Sequence, residues 1–191
     1  KTFFMLDSIS DQNIKSYLKN VNEIFNRSLV HHWETEHHER FNVSIPVEEN
    51  WILWLLKFFK PEFTLYEFCD YKKAVERGLG LCSQHAIALV DFLNRNGVES
   101  RIIGLGGHVV ATALVEPETW WILDPDYGVT IPFDLKTVES NLSILEPYYM
   151  NRLVNYSISE IRFVTDLYDS KGNTLYPAPS IGYVGYIDCN W

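Results

Sequence analysis

The chain has 191 residues, 47% of them hydrophobic and 21% charged, which excludes a disordered, collagenous or low-complexity protein and fits one domain. A domain of this size buries roughly 70% of the surface its unfolded chain exposes, so it needs no staples. The net charge of −9 argues against a nucleic-acid partner, which needs cationic surface, and against an anionic membrane surface.

In chain order, the first third reads helical. Ser10 is placed to cap a helix whose apolar residues Ile14, Leu18, Val21 and Phe25 recur on one face. A second helix is predicted after Pro46, carrying Trp51, Trp54, Leu55 and Phe58; with Phe59, these aromatic residues read as core. That stretch, Trp51–Phe59, is also the longest apolar run. It is broken by Lys57 and too short to cross a bilayer, so no integral membrane segment is expected. A short helix after Asp70 ends at Gly78. A longer one runs from about Leu81 to Asn96, with Gly97 suited to its C′ position.

Beyond Gly97 the pattern turns to strands: Arg101–Leu105, His108–Val115 and Trp120–Leu123, with Glu116-Pro117-Glu118 as a turn. Towards the C-terminus, Ile161–Tyr168 and Thr174–Tyr176 flank a polar, glycine-containing stretch and read as a hairpin. Helices first and strands later predict an α+β fold with a mainly antiparallel sheet.

There are three cysteines, Cys69, Cys82 and Cys189. The number is odd, so at least one thiol is expected to be unpaired, and the lack of a C-x-x-C pair argues against structural zinc. Cys82 falls in the first turn of the long predicted helix, on the face that carries Ala86, Leu89 and Leu93. Unpaired N–H groups and the helix dipole favour a thiolate at such a place. A small buried hydrophobe is the other reading of the same position.

His108 opens one strand and Asp124 closes the next. With a three-residue loop between them, facing residues have numbers that sum to 232 or 234. His108 and Asp124, summing to 232, then share a face; a four-residue loop separates them. A carboxylate beside an imidazole fixes its tautomer, and the imidazole can activate a thiol. A satisfied histidine and a turn aspartate before Pro125 are the plain alternatives.

Taken together, residues 78–128 resemble the core of the transglutaminase-like superfamily, a branch of the papain-like cysteine enzymes. Gly80 stands two residues before Cys82 and Ala86 four after it. Phe92-Leu93, Gly97, Val98 and Arg101 follow in the family's order. His108 then opens a strand, and Trp120-Trp121-Ile122-Leu123-Asp124-Pro125 carries the aspartate. Two positions depart from the family's pattern: Val109-Val110 replaces a small residue and a tryptophan, and Asp126 replaces a threonine. The departures bear on the substrate, and Asp126 also becomes a rival to Asp124. Arg77-Gly78, Cys82, Asp124 and Tyr127-Gly128 are more distantly similar to arylamine N-acetyltransferases, which carry a further domain and lid.

The resemblance implies a papain-like core, with the nucleophile at a helix start packed on an antiparallel sheet. It implies Cys82 as nucleophile, His108 as proton carrier and Asp124 as its orienting partner. The backbone N–H of Cys82 serves as one oxyanion donor, and Trp54, Tyr66 or Tyr71 as the second. The chemistry implied is attack on an amide or peptide bond through a thioester, leaning to hydrolysis over amine transfer. A peptide, protein or small amide is then the substrate, and no cofactor or metal is needed. A non-catalytic binding or scaffold module on the same fold is the competing reading.

The chain is expected to form one domain, in which residues 1–64 are helical, residues 65–135 form the catalytic core and residues 136–191 are an extension bearing the hairpin. It begins at Lys1 and is expected to be soluble, either cytoplasmic or exported after removal of a signal peptide. His31, Glu34 and His38 would share a helical face that could take a divalent metal, although a solvated polar stretch explains them as well. Asn26, Asn42, Asn141 and Asn155 each begin an N-x-S tripeptide, read as chance. Gly104, Gly106 and Gly107 are read as letting backbone approach a substrate beside His108.

Overall fold

The segment Val109–Glu116 carries small or β-branched residues on both faces, and such a strand belongs in the middle of a sheet. It does form the central strand. The structure is a computed structural model, and it describes residues 1–9, 13–32, 46–48, 50–59, 66–169, 173–177 and 186–187. Helices α1 (Thr2–Asp7) and α2 (Ile14–Ser28) lead into β1 (Val30–His31), followed by α3 (Trp51–Leu56), β2 (Tyr66–Glu67), α4 (Tyr71–Arg77), β3 (Leu79–Gly80) and α5 (Cys82–Arg95). Strands β4 (Ser100–Gly104), β5 (Val109–Glu116), β6 (Thr119–Asp124) and β7 (Val129–Ile131) come next. The chain then adds α6 (Leu135–Ser140), α7 (Glu146–Arg152), α8 (Ile158–Asp166), β8 (Thr174–Pro177) and β9 (Tyr186–Ile187).

The result is a mixed α/β fold around an antiparallel sheet of order β7-β6-β5-β4-β8. Alternation along the strands separates two apolar cores. Ile102, Val109, Ala111, Ala113, Trp121 and Leu123 meet α2 and α5 on one face. Ile103, Val110, Ile122 and Ile131 meet residues of α6, α7 and α8 on the other. This second helical layer is an addition to the expected arrangement.

Several local signals act as read. Asp70 caps α4 by accepting the N–H of Lys72 at 2.8 Å, and Gly78 ends the helix at φ +73°. Gly97 follows α5 at φ +79°. Other expectations need correction. The cap of α2 is Asn13, whose side chain accepts the N–H of Ser16 at 3.0 Å; Ser10 lies outside the described residues. Trp51, Phe58 and Phe59 are exposed rather than core. Periodicity shows which residues share a face, not what covers it.

The C-terminal hairpin is also corrected. Residues 158–166 are helical, started by a capping box between Ser157 and Glu160. The buried residues Ile161, Val164, Thr165 and Tyr168 follow helical spacing. Strand β8 pairs instead with β4, Ile103 facing Leu175.

The β5–β6 turn reaches the anticipated parity by another route. Glu116 faces Thr119 across a two-residue loop, with Glu118 at φ +64°. Alone, that loop would put His108 and Asp124 on opposite faces. A bulge between Leu114 and Glu116 shifts the register by one, so that Ala111 faces Leu123. His108 and Asp124 thus end one diagonal apart on the same face.

Candidate functional site

The start of α5 is held from several sides. The short parallel pair β1–β3 sets His31 beside Gly80, two residues before Cys82. The side chain of Gln84 is wholly buried. Its oxygen accepts from the N–H of Phe68 and from Arg77 Nη2, both at 2.7 Å, while its amide nitrogen donates to the Phe68 carbonyl at 2.7 Å. A Cβ on Gly80 would lie 2.4 Å from Gln84 Cβ, so glycine is required there for steric reasons.

Ser83 Oγ donates to Glu67 Oε1, and the Gln84 N–H reaches the same carboxyl. Glu67 therefore supplies the cap that Leu81, the N-cap residue, cannot. Its other oxygen has no hydrogen-bond partner among the described residues. Burial pushes the Glu67 carboxyl up to about 7, against the opposing pull of Ser83 and Arg77.

Cys82, His108 and Asp124 are brought together. His108 Nε2 lies 2.9 Å from Asp124 Oδ2, and the same ring makes a side-chain hydrogen bond with Cys82. With Nε2 committed to the carboxylate, Nδ1 is the nitrogen left for the sulfur. Cys82 is partly exposed, whereas His108 and Asp124 are buried. Burial works against a charged His108 ring. The Asp124 carboxylate and the Cys82 sulfur outweigh it, so the imidazole holds its proton well above the usual range. An imidazolium beside a sulfur is the arrangement in which a thiol reacts as thiolate.

Asp124 accepts at every available place. Its Oδ1 takes the N–H groups of Asp126 and Tyr127 at 3.1 and 3.2 Å. Its Oδ2 takes His108 and the hydroxyl of Tyr149, the latter at 2.7 Å. The Tyr149 and Tyr168 hydroxyls are 2.7 Å apart. The loop that makes these bonds is fastened to α2. Asn26 donates to the Asp126 carbonyl at 2.7 Å, and Asn22 to that of Val129 at 2.9 Å.

Asp126 is not the partner of His108. Both its oxygens lie 2.8 Å from His31 Nδ1, and His85 Nδ1 stands 3.9 Å away. This hydrogen bond raises His31 above the usual histidine value. Burial lowers His85.

The remaining sequence candidates are placed as follows. His31 lies in a strand, not on a helix; Glu34 and His38 are outside the described residues. Among the described residues, no group of three His, Cys, Asp or Glu side chains is set to hold a metal ion. Tyr71 packs edge-on against Phe92 and Phe25, and Trp54 against Phe58. Tyr66 lies in β2, paired with Tyr186 of β9. Gly107, at φ +145°, turns the chain just before His108. Cys69 is disulfide-bonded and Cys82 is free; Cys189, the third cysteine of the sequence, lies outside the described residues. Among the described residues no helix is long and apolar enough to cross a membrane.

No protein-family model matches the chain, and no curated protein matches it.

Sequence reasoning gives no part in the site to Gln84, Glu67, Asn22, Asn26, Tyr149 or Tyr168. One signal is present. Ser83-Gln84-His85 puts three polar residues into the otherwise apolar start of a buried helix, and such residues need partners. Nothing in the sequence marks Tyr149 apart from Tyr148.

Proposed function

We propose that this protein is a cysteine enzyme of transglutaminase-like type, with a papain-like core, that cleaves amide or peptide bonds through a thioester on Cys82. The observation that carries the reading is the line from the partly exposed Cys82, through the His108 ring, to the buried Asp124 carboxylate. In this reading the Cys82 thiolate attacks the carbonyl carbon. The backbone N–H of Cys82, in the first turn of α5 where N–H groups have no partner within the helix, faces the developing oxyanion. His108 hands its proton to the leaving amine, and the thioester remains. His108, now neutral, takes a proton from water as water attacks the thioester, and the acid and the Cys82 thiolate are released. Asp124 keeps the ring's Nε2 protonated and its Nδ1 turned to the sulfur throughout.

No metal or cofactor enters these steps. The substrate class is a peptide, a protein side-chain amide or a small amide. The acidic surface favours neutral or cationic substrates on approach.

The test is to incubate the protein with an activated acyl donor such as p-nitrophenyl acetate and quench in acid. Intact-mass and peptide analysis should then find one acyl group on Cys82. The adduct should vanish in Cys82→Ser. It should form at least about 100-fold more slowly in His108→Ala, the scale of lost general-base catalysis. Absence of any Cys82 adduct would favour the non-catalytic binding module instead.

A further inference from the structure

Tyr149 and Tyr168 are wholly buried, and they belong to the helical layer across the sheet from α5. Tyr149 sits in α7 and Tyr168 just after α8. Neither is accounted for by the chemistry described above. Their hydroxyls form a chain that ends on Oδ2 of Asp124, the same oxygen that holds His108. A carboxylate only accepts, so Tyr149 donates to it. The one hydroxyl proton of Tyr149 is thereby used, and the bond between the two tyrosines is donated by Tyr168. Burial first, and then the Asp124 charge, keep both phenols protonated well beyond their ordinary range. The chain of donors therefore persists at any pH at which His108 titrates, and each bond polarises the next.

Resting on the cysteine-nucleophile reading above, we propose that Tyr149 is a positioning residue of the site, holding Asp124 through its hydroxyl with Tyr168 behind it, and thereby setting how tightly His108 keeps its proton. A hydroxyl donated to Oδ2 disperses the carboxylate charge and competes with His108 for it. Without that donor, Asp124 attracts the imidazolium more strongly. Among the described residues, the other groups facing the His108–Asp124 pair are Cys82 and His85 from α5, His31 from β1, and Asp126 and Tyr127 after β6. None of them loses a partner when the Tyr149 hydroxyl is removed.

The experiment follows the His108 imidazole by NMR titration, with the resonance assigned through His108→Gln. In Tyr149→Phe the midpoint should rise by about one pH unit, the scale of one hydrogen bond to a charged group. In Tyr168→Phe it should rise less, because the donor remains but loses its own donor. Tyr149→Phe/Tyr168→Phe should match Tyr149→Phe alone, since Tyr168 acts only through Tyr149. If Tyr149→Phe does not fold, the double variant, which leaves no phenol without an acceptor, carries the same expectation. An unchanged or lowered midpoint, with only a drop in melting temperature, overturns the proposal and leaves the tyrosines as core filling. The nucleophile reading is tested separately by iodoacetamide labelling of Cys82 in His108→Gln. Unslowed labelling would end that reading without touching the titration result.

Discussion

The backbone N–H of Asp126 donates to the Asp124 carboxylate at 3.1 Å, while the Asp126 side chain turns away to His31. Two aspartates two residues apart thus hold two different histidines. Asp124 is saturated with donors: two backbone N–H groups on Oδ1, and Tyr149 and His108 on Oδ2.

This arrangement predicts what Asp124→Asn does. The amide oxygen should keep the two backbone N–H groups, leaving the NH₂ towards His108. Nε2 must then accept, so the ring proton moves to Nδ1 and faces the sulfur, where it cannot take the thiol proton. Activity should fall by about 10³–10⁴-fold, as when the carboxylate of a serine triad is neutralised. Some stability should be lost too, because a fully satisfied carboxylate is replaced. Asp126→Asn should leave the Cys82 chemistry within about tenfold of wild type. It should lower the His31 titration midpoint, since the Asp126 hydrogen bond is what raises it. Kinetics and NMR titration of both variants check the assignment, and reversed ranks would exchange the aspartates.

Cys82 should be the reactive thiol of the native protein. Cys69 is disulfide-bonded, and the histidine next to Cys82 holds its proton well above the usual range. Brief iodoacetamide treatment near pH 6 without reductant, followed by peptide mapping, should place the label on Cys82. In His108→Ala labelling should slow by at least about tenfold. Label found first on Cys69 or Cys189 would refute the nucleophile.

Glu67 gives the protein a stability that depends on pH. Its folded value is about 7 against 4.5 for the free side chain, so the folded state holds the proton more tightly than the unfolded one. Stability linked to this group is therefore full below about pH 4.5. It declines as pH rises through 7, by about 3 kcal/mol in all. Glu67→Gln keeps an acceptor for Ser83 and Gln84 but cannot ionise. Urea unfolding at pH 5 and pH 8 should show the variant gaining on the wild type between the two, by about the same amount. A constant difference would mean that the Glu67 carboxyl is already charged at pH 5.

How much of this is legible in the sequence depends on whether the signal is local. The bounds of α4 and α5 can be read because Asp70 caps through its own side chain and Gly78 and Gly97 act through their own backbone geometry. The shared face of His108 and Asp124 follows from parity along two strands. The actual turn, however, is two residues long, and the bulge at Val115 restores the parity. Helix α8 mimics a strand because Ile161, Phe163 and Val164 suit one in isolation. The spacing of Ile161, Val164, Thr165 and Tyr168 and the Ser157–Glu160 box are the better evidence. Asn22 and Asn26 reach 107 and 100 positions along the chain to hold the loop after Asp124, and Tyr149 reaches back 25 positions to its carboxylate. No periodicity carries such contacts.

On the proposed function, the fate of a Cys82 thioester turns on what reaches it. Cys82 is partly exposed while His108 and Asp124 behind it are buried, so water that reaches Cys82 does not reach the Asp124 hydrogen bonds. An amine acceptor must compete with that water. It wins only where a site binds it or a closing segment shuts water out. Among the described residues the segments beside the pair are short: Leu105–Gly107 before His108, and Asp126–Gly128 after Asp124. The second is fastened by Asn26 and by Arg152, which donates to the Tyr127 carbonyl at 3.0 Å. A loop tied down at both its carbonyls and its amides is a poor lid. Hydrolysis should therefore dominate. When the acyl-enzyme formed from p-nitrophenyl acetate is mixed with excess primary amine, free acid should remain the main product, and the rate of loss of the acyl group should depend little on amine concentration. A rate that rises in proportion to amine, with the amide as main product, would make the protein a transferase.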